Sequence, residues 1–240
     1  GGAYGGDGGD GSDGQLGGSA YGSTTNPVQL GSSGGSTNER VAGDGGGLAI
    51  FTVTGTTTID GTISANGGNG VTTITRSPGG GSGGGINLTT GALEGTGTVR
   101  ANGGDGTNDT NDGGGGGGGR IALKYSTGTT SGFTLDAQGG SGPGAADEGA
   151  AGTIFTKSDS QTYGDLIIQG GGTLATDAVT PIGEISNLDS ITATNSAVAL
   201  IGTTTVPSIT ISTASAGSGG ELRVASGTTL TYTSLDIGDG

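Results

Sequence analysis

Apolar residues in this chain fall in short runs with a period of two. Ile121, Leu123 and Tyr125 alternate with Ala122 and Lys124, the pattern of a strand with one face turned inward. Similar runs, each introduced by glycine, are Gly45-Gly-Gly-Leu-Ala-Ile-Phe-Thr-Val53, Gly83-Gly-Gly-Ile-Asn-Leu88, Gly117-Gly-Gly-Arg-Ile-Ala-Leu-Lys-Tyr125 and Ala151-Gly-Thr-Ile-Phe-Thr156. No window combines a 3.6-residue apolar period with capping residues, so essentially no helix is expected.

A second, weaker strand closes each unit and ends in a double glycine. It reads Ile59-Asp-Gly-Thr-Ile-Ser-Ala-Asn66-Gly-Gly, then Leu93-Glu-Gly-Thr-Gly-Thr-Val-Arg-Ala-Asn102-Gly-Gly, then Phe133-Thr-Leu-Asp-Ala-Gln138-Gly-Gly. Asn66, Asn102 and Gln138 are each 36 residues apart. A fixed period of this length marks a repeat architecture. Further along, Leu166, Leu188, Ile209 and Leu230 lie 22, 21 and 21 residues apart, a spacing that suits one turn of a β-solenoid. The 36-residue unit is then one such coil plus a glycine-rich insertion. Asn66, Asn102 and Gln138 mark the corner where the chain leaves the coil, and their amides can stack there in a ladder.

Composition complicates the picture. Of 240 residues 62 are glycine, only 28% are hydrophobic and 12% are charged. Low hydrophobicity favours disorder, but the regular β-branched runs supply what a stacked solenoid needs, a thin core fed by a few residues per turn. The fold expected is all-β, a right-handed parallel β-helix with glycine-rich loops. Residues 1–44 form a glycine-rich segment, either a flexible leader or polyproline-II-like strands packed side by side. Residues 45–240 form the solenoid, with long repeats over 45–172 and tighter coils of about 21 residues over 173–240. The glycine tracts 67–85, 103–119 and 139–152 are expected to bury little and to project as loops. Both ends of the sequence fall within a repeat phrase and no signal peptide is visible, so the chain reads as a mature or fragmentary piece of a longer exported protein.

Charge narrows the function. The net charge is −14 with seven Lys and Arg and none clustered, which argues against nucleic acid and against anionic membrane surfaces. No stretch approaches the ~20 apolar residues of a membrane span, so membrane insertion is not expected. The absence of Cys removes disulfides and thiol chemistry, and the absence of His removes the commonest general base.

Short Val/Ile/Thr strands alternating with Gly61-Thr-Ile-Ser-Ala-Asn-Gly-Gly68, Gly97-Thr-Val-Arg-Ala-Asn-Gly-Gly104 and Gly220-Glu-Leu-Arg-Val-Ala-Ser-Gly-Thr-Thr-Leu230 resemble the β-solenoid bodies of large bacterial surface proteins, adhesins and autotransporter passengers among them. The glycine tracts resemble the polyglycine segments of some phage tail-tip adhesins. The resemblance covers most of residues 45–240. It implies an extracellular or cell-surface structural or adhesive role and transfers no catalytic residue.

Several motifs carry candidate chemistry. Gly8-Gly-Asp10-Gly-Ser-Asp13-Gly-Gln-Leu16 approaches a calcium-binding nonapeptide, with Gln15 in the apolar position and Leu16 one place late. Asp105, Asp109 and Asp112 offer hard oxygen ligands without the spacing or closing Glu of an EF-hand. Calcium is the one candidate cofactor, and hydrated Gly/Asp turns are the alternative reading of both motifs. Seven glycines before Arg120 lack the Lys-Ser/Thr and helix of a nucleotide-binding loop. Asp60, Glu94 and Asp136 could stack in a row as the carboxylates of a polysaccharide-cleaving β-helix, although aromatic platforms for sugar are dispersed. Thr56–Thr58, Thr72–Thr75 and Thr203–Thr205 could build a flat water-ordering face, but not at a constant offset per coil. Asn87-Leu-Thr89 and Asn108-Asp-Thr110 match a glycosylation sequon.

Three functions remain. The leading one is a non-catalytic structural building block that self-assembles into an extracellular bacterial fibre or surface layer through open strand edges. An adhesin that binds a receptor or glycan through its glycine loops comes second, and a carbohydrate-active β-helix enzyme third.

Overall fold

The computed structural model describes residues 1–36, 41–71, 77–108, 111–171, 178–195, 197–200, 203–213 and 221–239. Among these the protein is all-β with no helix, and its sheets are mostly parallel. The strands are β1 (Leu48–Thr58), β2 (Thr62–Ser64), β3 (Gly85–Glu94), β4 (Thr98–Arg100), β5 (Arg120–Gly128), β6 (Thr134–Asp136), β7 (Thr153–Ser158) and β8 (Asp165–Gln169) in the first part of the chain. They continue with β9 (Thr180–Pro181), β10 (Ser190–Thr194), β11 (Ala197–Leu200), β12 (Thr204–Thr205), β13 (Ser208–Thr213), β14 (Glu221–Val224), β15 (Leu230–Thr231) and β16 (Ser234–Asp239).

One eight-stranded sheet runs through the molecule in the order β1-β3-β5-β7-β8-β10-β13-β16. After β1, β3 and β5 the chain crosses to a small second sheet, β2-β4-β6, and then returns. Like residues stack in columns: Ile63, Val99 and Leu135 in the small sheet, and Ala49, Ile86, Ile121 and Ile154 in the large one. The 36-residue period holds strictly in the small sheet. Between the two sheets lies a core of Ile86, Leu88, Leu93, Val99, Ile121, Leu123 and Ile154. Burying each such side chain contributes about 1.5–3 kcal/mol.

The later coils depart from the expected spacing. In the large sheet Leu166 stands beside Ile191, Ile191 beside Ile209 and Ile209 beside Leu235, steps of 25, 18 and 26 residues. Leu188 and Leu230 are not in that column, and Leu230 belongs to β15. The regular 21-residue rhythm therefore joins residues from different sheets. The coils vary because their connections through β9-β11-β14 and β12-β15 differ in length.

The sheet is also not parallel throughout, because β7 and β8 pair antiparallel across the connection 159–164. Residues opposite one another in an antiparallel pair point to the same face. Ile154 opposite Ile167 belongs with the first core, while Phe155 opposite Leu166 belongs with the second. That second core holds Leu166, Ile168, Ile182, Leu188, Ile191, Val206, Ile209 and Ile211. Strand direction and core side therefore change together at one hairpin.

The glycine tracts 67–85 and 103–119 are not simply loops that bury little, although 72–76 and 109–110 lie outside the described residues. Residues 79–86 and 113–120 are buried. Backbone N–H groups of residues 79–84 bond to three neighbours in strict rotation. Gly79 and Ser82 donate to Gly35 and Ser32, Gly80 and Gly83 to Gly114 and Gly117, and Gly81 and Gly84 to Gly68 and Ala65. Return to the same neighbour every third residue is the signature of a three-residue-per-turn extended helix. Tract 101–106 behaves alike, Gly103 and Gly106 donating to Gln138 and Ser141 and Gly104 to Gly81. The tracts form a bundle held by inter-segment hydrogen bonds.

Residues 1–10, 31–35 and 43–47 join this bundle. Gly2 donates to Gly80, Gly9 to Gly115, Gly31 to Gly46 and Gly43 to Gly79. These parts of the N-terminal segment are thus laid into the structure, while residues 37–40 lie outside the described residues.

Candidate binding and assembly surfaces

The corner residues sit where the strands of the small sheet pass into the glycine bundle. Asn66 Oδ1 accepts the backbone N–H of Asn102 at 3.0 Å, and Asn102 Oδ1 accepts that of Gln138 at 2.9 Å. Asn102 Nδ2 also donates to Asp136 Oδ2 at 2.7 Å. Three residues further on a second ladder repeats the arrangement. Asn69 Oδ1 accepts from Asp105 N–H and Asp105 Oδ1 from Ser141 N–H, both at 2.8 Å. The sequence carries the same 36-residue spacing for Asn69, Asp105 and Ser141, but in three residue types, which is the one signal of this second ladder.

Three of the aspartates considered for calcium, Asp10, Asp105 and Asp112, accept backbone N–H groups. Asp10 Oδ1 accepts Gly17 N–H at 2.6 Å, Asp105 serves the ladder, and Asp112 Oδ2 accepts Ala145 N–H at 3.0 Å. Asp13 is exposed, and Asp109 lies outside the described residues. Among the described residues no three acidic side chains come together in a group able to hold a metal ion.

The carboxylates considered for catalysis do not form one row. Asp136 stands in register with Arg100 and Ser64, Glu94 with Thr58, and Asp60 Oδ1 accepts Thr96 N–H at 3.3 Å. Of the threonine clusters, Thr56–Thr58 and Thr203–Thr205 fall in different sheets. Thr57 Oγ1 donates to Thr90 Oγ1, Thr204 is buried, and 72–75 lie outside the described residues. Of the sequons, Asn87 is buried, and Thr110 of the other lies outside the described residues.

Composition gave no sign of one polar centre. Arg120 is only 2% exposed. Its Nε donates to Tyr21 O at 3.0 Å, its Nη1 to Thr24 Oγ1 and to Thr153 Oγ1 at 3.1 Å, and its guanidinium lies 5.7 Å from the centre of the Tyr4 ring. Thr24 N–H in turn bonds Glu184 Oε1. Burial lowers the Arg120 pKa, against the opposing pull of Glu184 and Tyr4. Nearby, Lys124 Nζ donates to Thr25 O, and Asn87 Nδ2 to Asn26 Oδ1 at 2.8 Å. Residues 20–29 therefore cover the face of β3 and β5 turned away from the first core. They anchor the N-terminal segment to β3 and β5 and, through Thr24 and Glu184, to the turn after β9.

Among the described residues, two cavities that open to the surface bear on function. One, of about 150 Å³, lies at the end of the glycine bundle and is lined by Asp13, Gln15, Ser36, Ser77, Asn111 and Asp112 among others. The other, of about 540 Å³, lies beside β6 and is lined by Phe133, Leu135, Asp136, Gln138, Ile154 and Ile167 among others. At the outer edge of the large sheet β1 has no partner among the described residues. Its Ile50 is 53% exposed and its Phe51 40%. Among the described residues no helix is long and apolar enough to cross a membrane. Comparison of the chain with protein-family models, with characterised proteins and with solved structures finds no match.

Proposed function

We propose that the protein is a non-catalytic building block of an extracellular bacterial fibre or surface layer, wound as a right-handed parallel β-helix and self-associating edge to edge. The observation that carries this reading is β1. It is an eleven-residue edge strand without a single charge, and it leaves Phe51 and Ile50 partly uncovered. Natural edge strands are usually shortened, charged, bulged or covered to prevent pairing, and among the described residues β1 is long, uncharged and uncovered, with a register shift between Val53 and Thr56 as its one such device. At the opposite edge β16 presents Leu235 and Ile237, 38% and 59% exposed. Two β1 strands brought together antiparallel about a twofold axis normal to the sheet keep both cores on one side. Ala49, Phe51 and Val53 of each copy then meet those of the other.

The general preference of parallel crossovers supports the right hand. Reversing strand direction alone would invert the hand of winding, and moving the core to the other face alone would do the same. Both change at β7–β8, which supports a single hand along the molecule.

Self-association should appear as ordered oligomers by sedimentation and electron microscopy, without added ligand. Phe51→Lys, which places a charge on the uncovered end of the core, should return the protein to monomer. A wild-type protein that stays monodisperse and monomeric at all concentrations overturns the reading.

The second reading, an adhesin for a surface receptor or glycan, draws support from the polar cavity at the end of the glycine bundle. Binding to cells or glycans that is lost when 107–112 is shortened would favour it.

A further inference from the structure

The two sheets of the first stack end at different levels. In the large sheet β7 continues past β5, but it then turns back into β8 and contributes no strand to the small sheet. Among the described residues β6 is therefore the last strand of β2-β4-β6, and the space beside it is the 540 Å³ cleft. Thr134 N–H donates to Gly97 O, and Asp136 O accepts Ala101 N–H, so residues 134 and 136 turn their backbone groups to β4. Neighbouring residues of an extended strand point opposite ways, which directs the N–H and C=O of Leu135 to the open edge. The floor of the cleft is apolar, with Phe133, Leu135, Ile154 and Ile167.

A second observation specifies what is missing. Asp136 lines the cleft, and its Oδ1 is buried without a hydrogen-bond partner. An unpaired buried carboxylate oxygen is costly, and a donor that reaches it recovers that cost. The columns define the rest of the complement. Position 134 stacks under Thr62 and Thr98, position 135 under Ile63 and Val99, and position 136 under Ser64 and Arg100. The next member of these columns is a Thr, a β-branched apolar residue, and a donor or cation facing Asp136.

We infer that the cleft beside β6 is a docking site for one extended peptide strand of the pattern Thr–apolar–Arg/Lys, added parallel to β6 and paired through its cation with Asp136. The occupant is a peptide because the open edge offers backbone hydrogen bonds at strand spacing. It is cationic at its third position because the carboxylate oxygen there has no partner. A whole second copy does not fit, since β8 already continues the large sheet where that copy's β1 would have to lie. The inference is independent of self-association through β1.

The probe is a capped peptide with the sequence of residues 97–103, Gly-Thr-Val-Arg-Ala-Asn-Gly, titrated into the full chain by calorimetry, with amide hydrogen exchange as the second readout. Saturable binding is expected, with slowed exchange at Leu135. A peptide with Glu in place of Arg should bind at least about tenfold more weakly, because the carboxylate would face a like charge. Asp136→Lys should reverse that preference, and this exchange of specificity distinguishes recognition from loss of fold. No saturable binding at millimolar peptide overturns the inference. So do equal binding of the Arg and Glu peptides, or protection at β1 in place of Leu135. Protection of Leu135 by a soluble oligosaccharide but not by the peptide overturns it in favour of a glycan site.

Discussion

At the residue scale, glycine here is a packing element. A Cβ on Gly81 would run into the carbonyl oxygen of Asp44, and one on Gly116 into that of Gly81. The hydrogen in that position instead points at the carbonyl, the geometry of a weak Cα–H···O contact of about 0.5–1 kcal/mol. Gly55 differs, because its Cβ would meet open space. Gly81→Ala should therefore destabilise by roughly 1–3 kcal/mol or more through overpacking against backbone, which has little room to yield. Gly55→Ala, in an exposed strand, should be neutral or slightly stabilising because glycine loses the most freedom on folding. Paired denaturant titrations check this, and equal effects would contradict the close-packed bundle. The sequence showed the glycine tracts plainly but not their burial. Prediction from composition counts apolar side chains, whereas these segments are buried by backbone hydrogen bonds and by the absence of side chains.

At the scale of elements, the two ladders hold successive repeats in register at the corner. Asn102 has two roles there, accepting from Gln138 N–H and donating to Asp136. Asn102→Ala should cost about 1–2 kcal/mol, the loss of two partly exposed hydrogen bonds. Asn102→Asp should keep the acceptor but place a second carboxylate beside Asp136, so its penalty should shrink as the pH falls. Thermal melts at neutral and acid pH separate the two variants. The first ladder was legible because Asn66, Asn102 and Gln138 recur at one spacing next to the same double glycine. The second has three different residue types, Asn, Asp and Ser, which obscures the same period. The hairpin between β7 and β8 was not legible at all. Ile154-Phe155 and Leu166-Ile167-Ile168 are apolar on both parities, so no alternation shows which face is inward.

Across the whole molecule, the N-terminal segment ties the glycine bundle to β5 and to residues beyond β8. Asp7 is one of its contacts, Oδ1 accepting Ala20 N–H and Oδ2 accepting Val179 N–H, while its backbone oxygen takes Ala150 N–H. Burial raises the Asp7 pKa above the ordinary aspartate range, and the two backbone donors oppose the shift only in part. A carboxyl whose pKa is higher folded than unfolded binds its proton more tightly in the native state. Its contribution is then full below the unfolded pKa, about 4, and is lost as the pH rises through the folded value. Asp7→Asn should flatten stability across that window relative to wild type, as seen in melting temperature against pH. An unchanged slope would mean that Asp7 is not buried in solution.

The sequence by itself determined the all-β class, the strands of the first repeats, the 36-residue step and the corner at Asn66, Asn102 and Gln138. All of these are local or periodic, and a repeat imposes the same environment on equivalent positions. Only the tertiary structure decided which face of the large sheet carries each core and that strand direction reverses at β7–β8. It alone placed residues 20–29 over Arg120 and turned the glycine tracts into a buried bundle. Each of these depends on contacts between segments far apart in the chain, such as Thr24 with Glu184 or Asp7 with Val179, which no local pattern encodes.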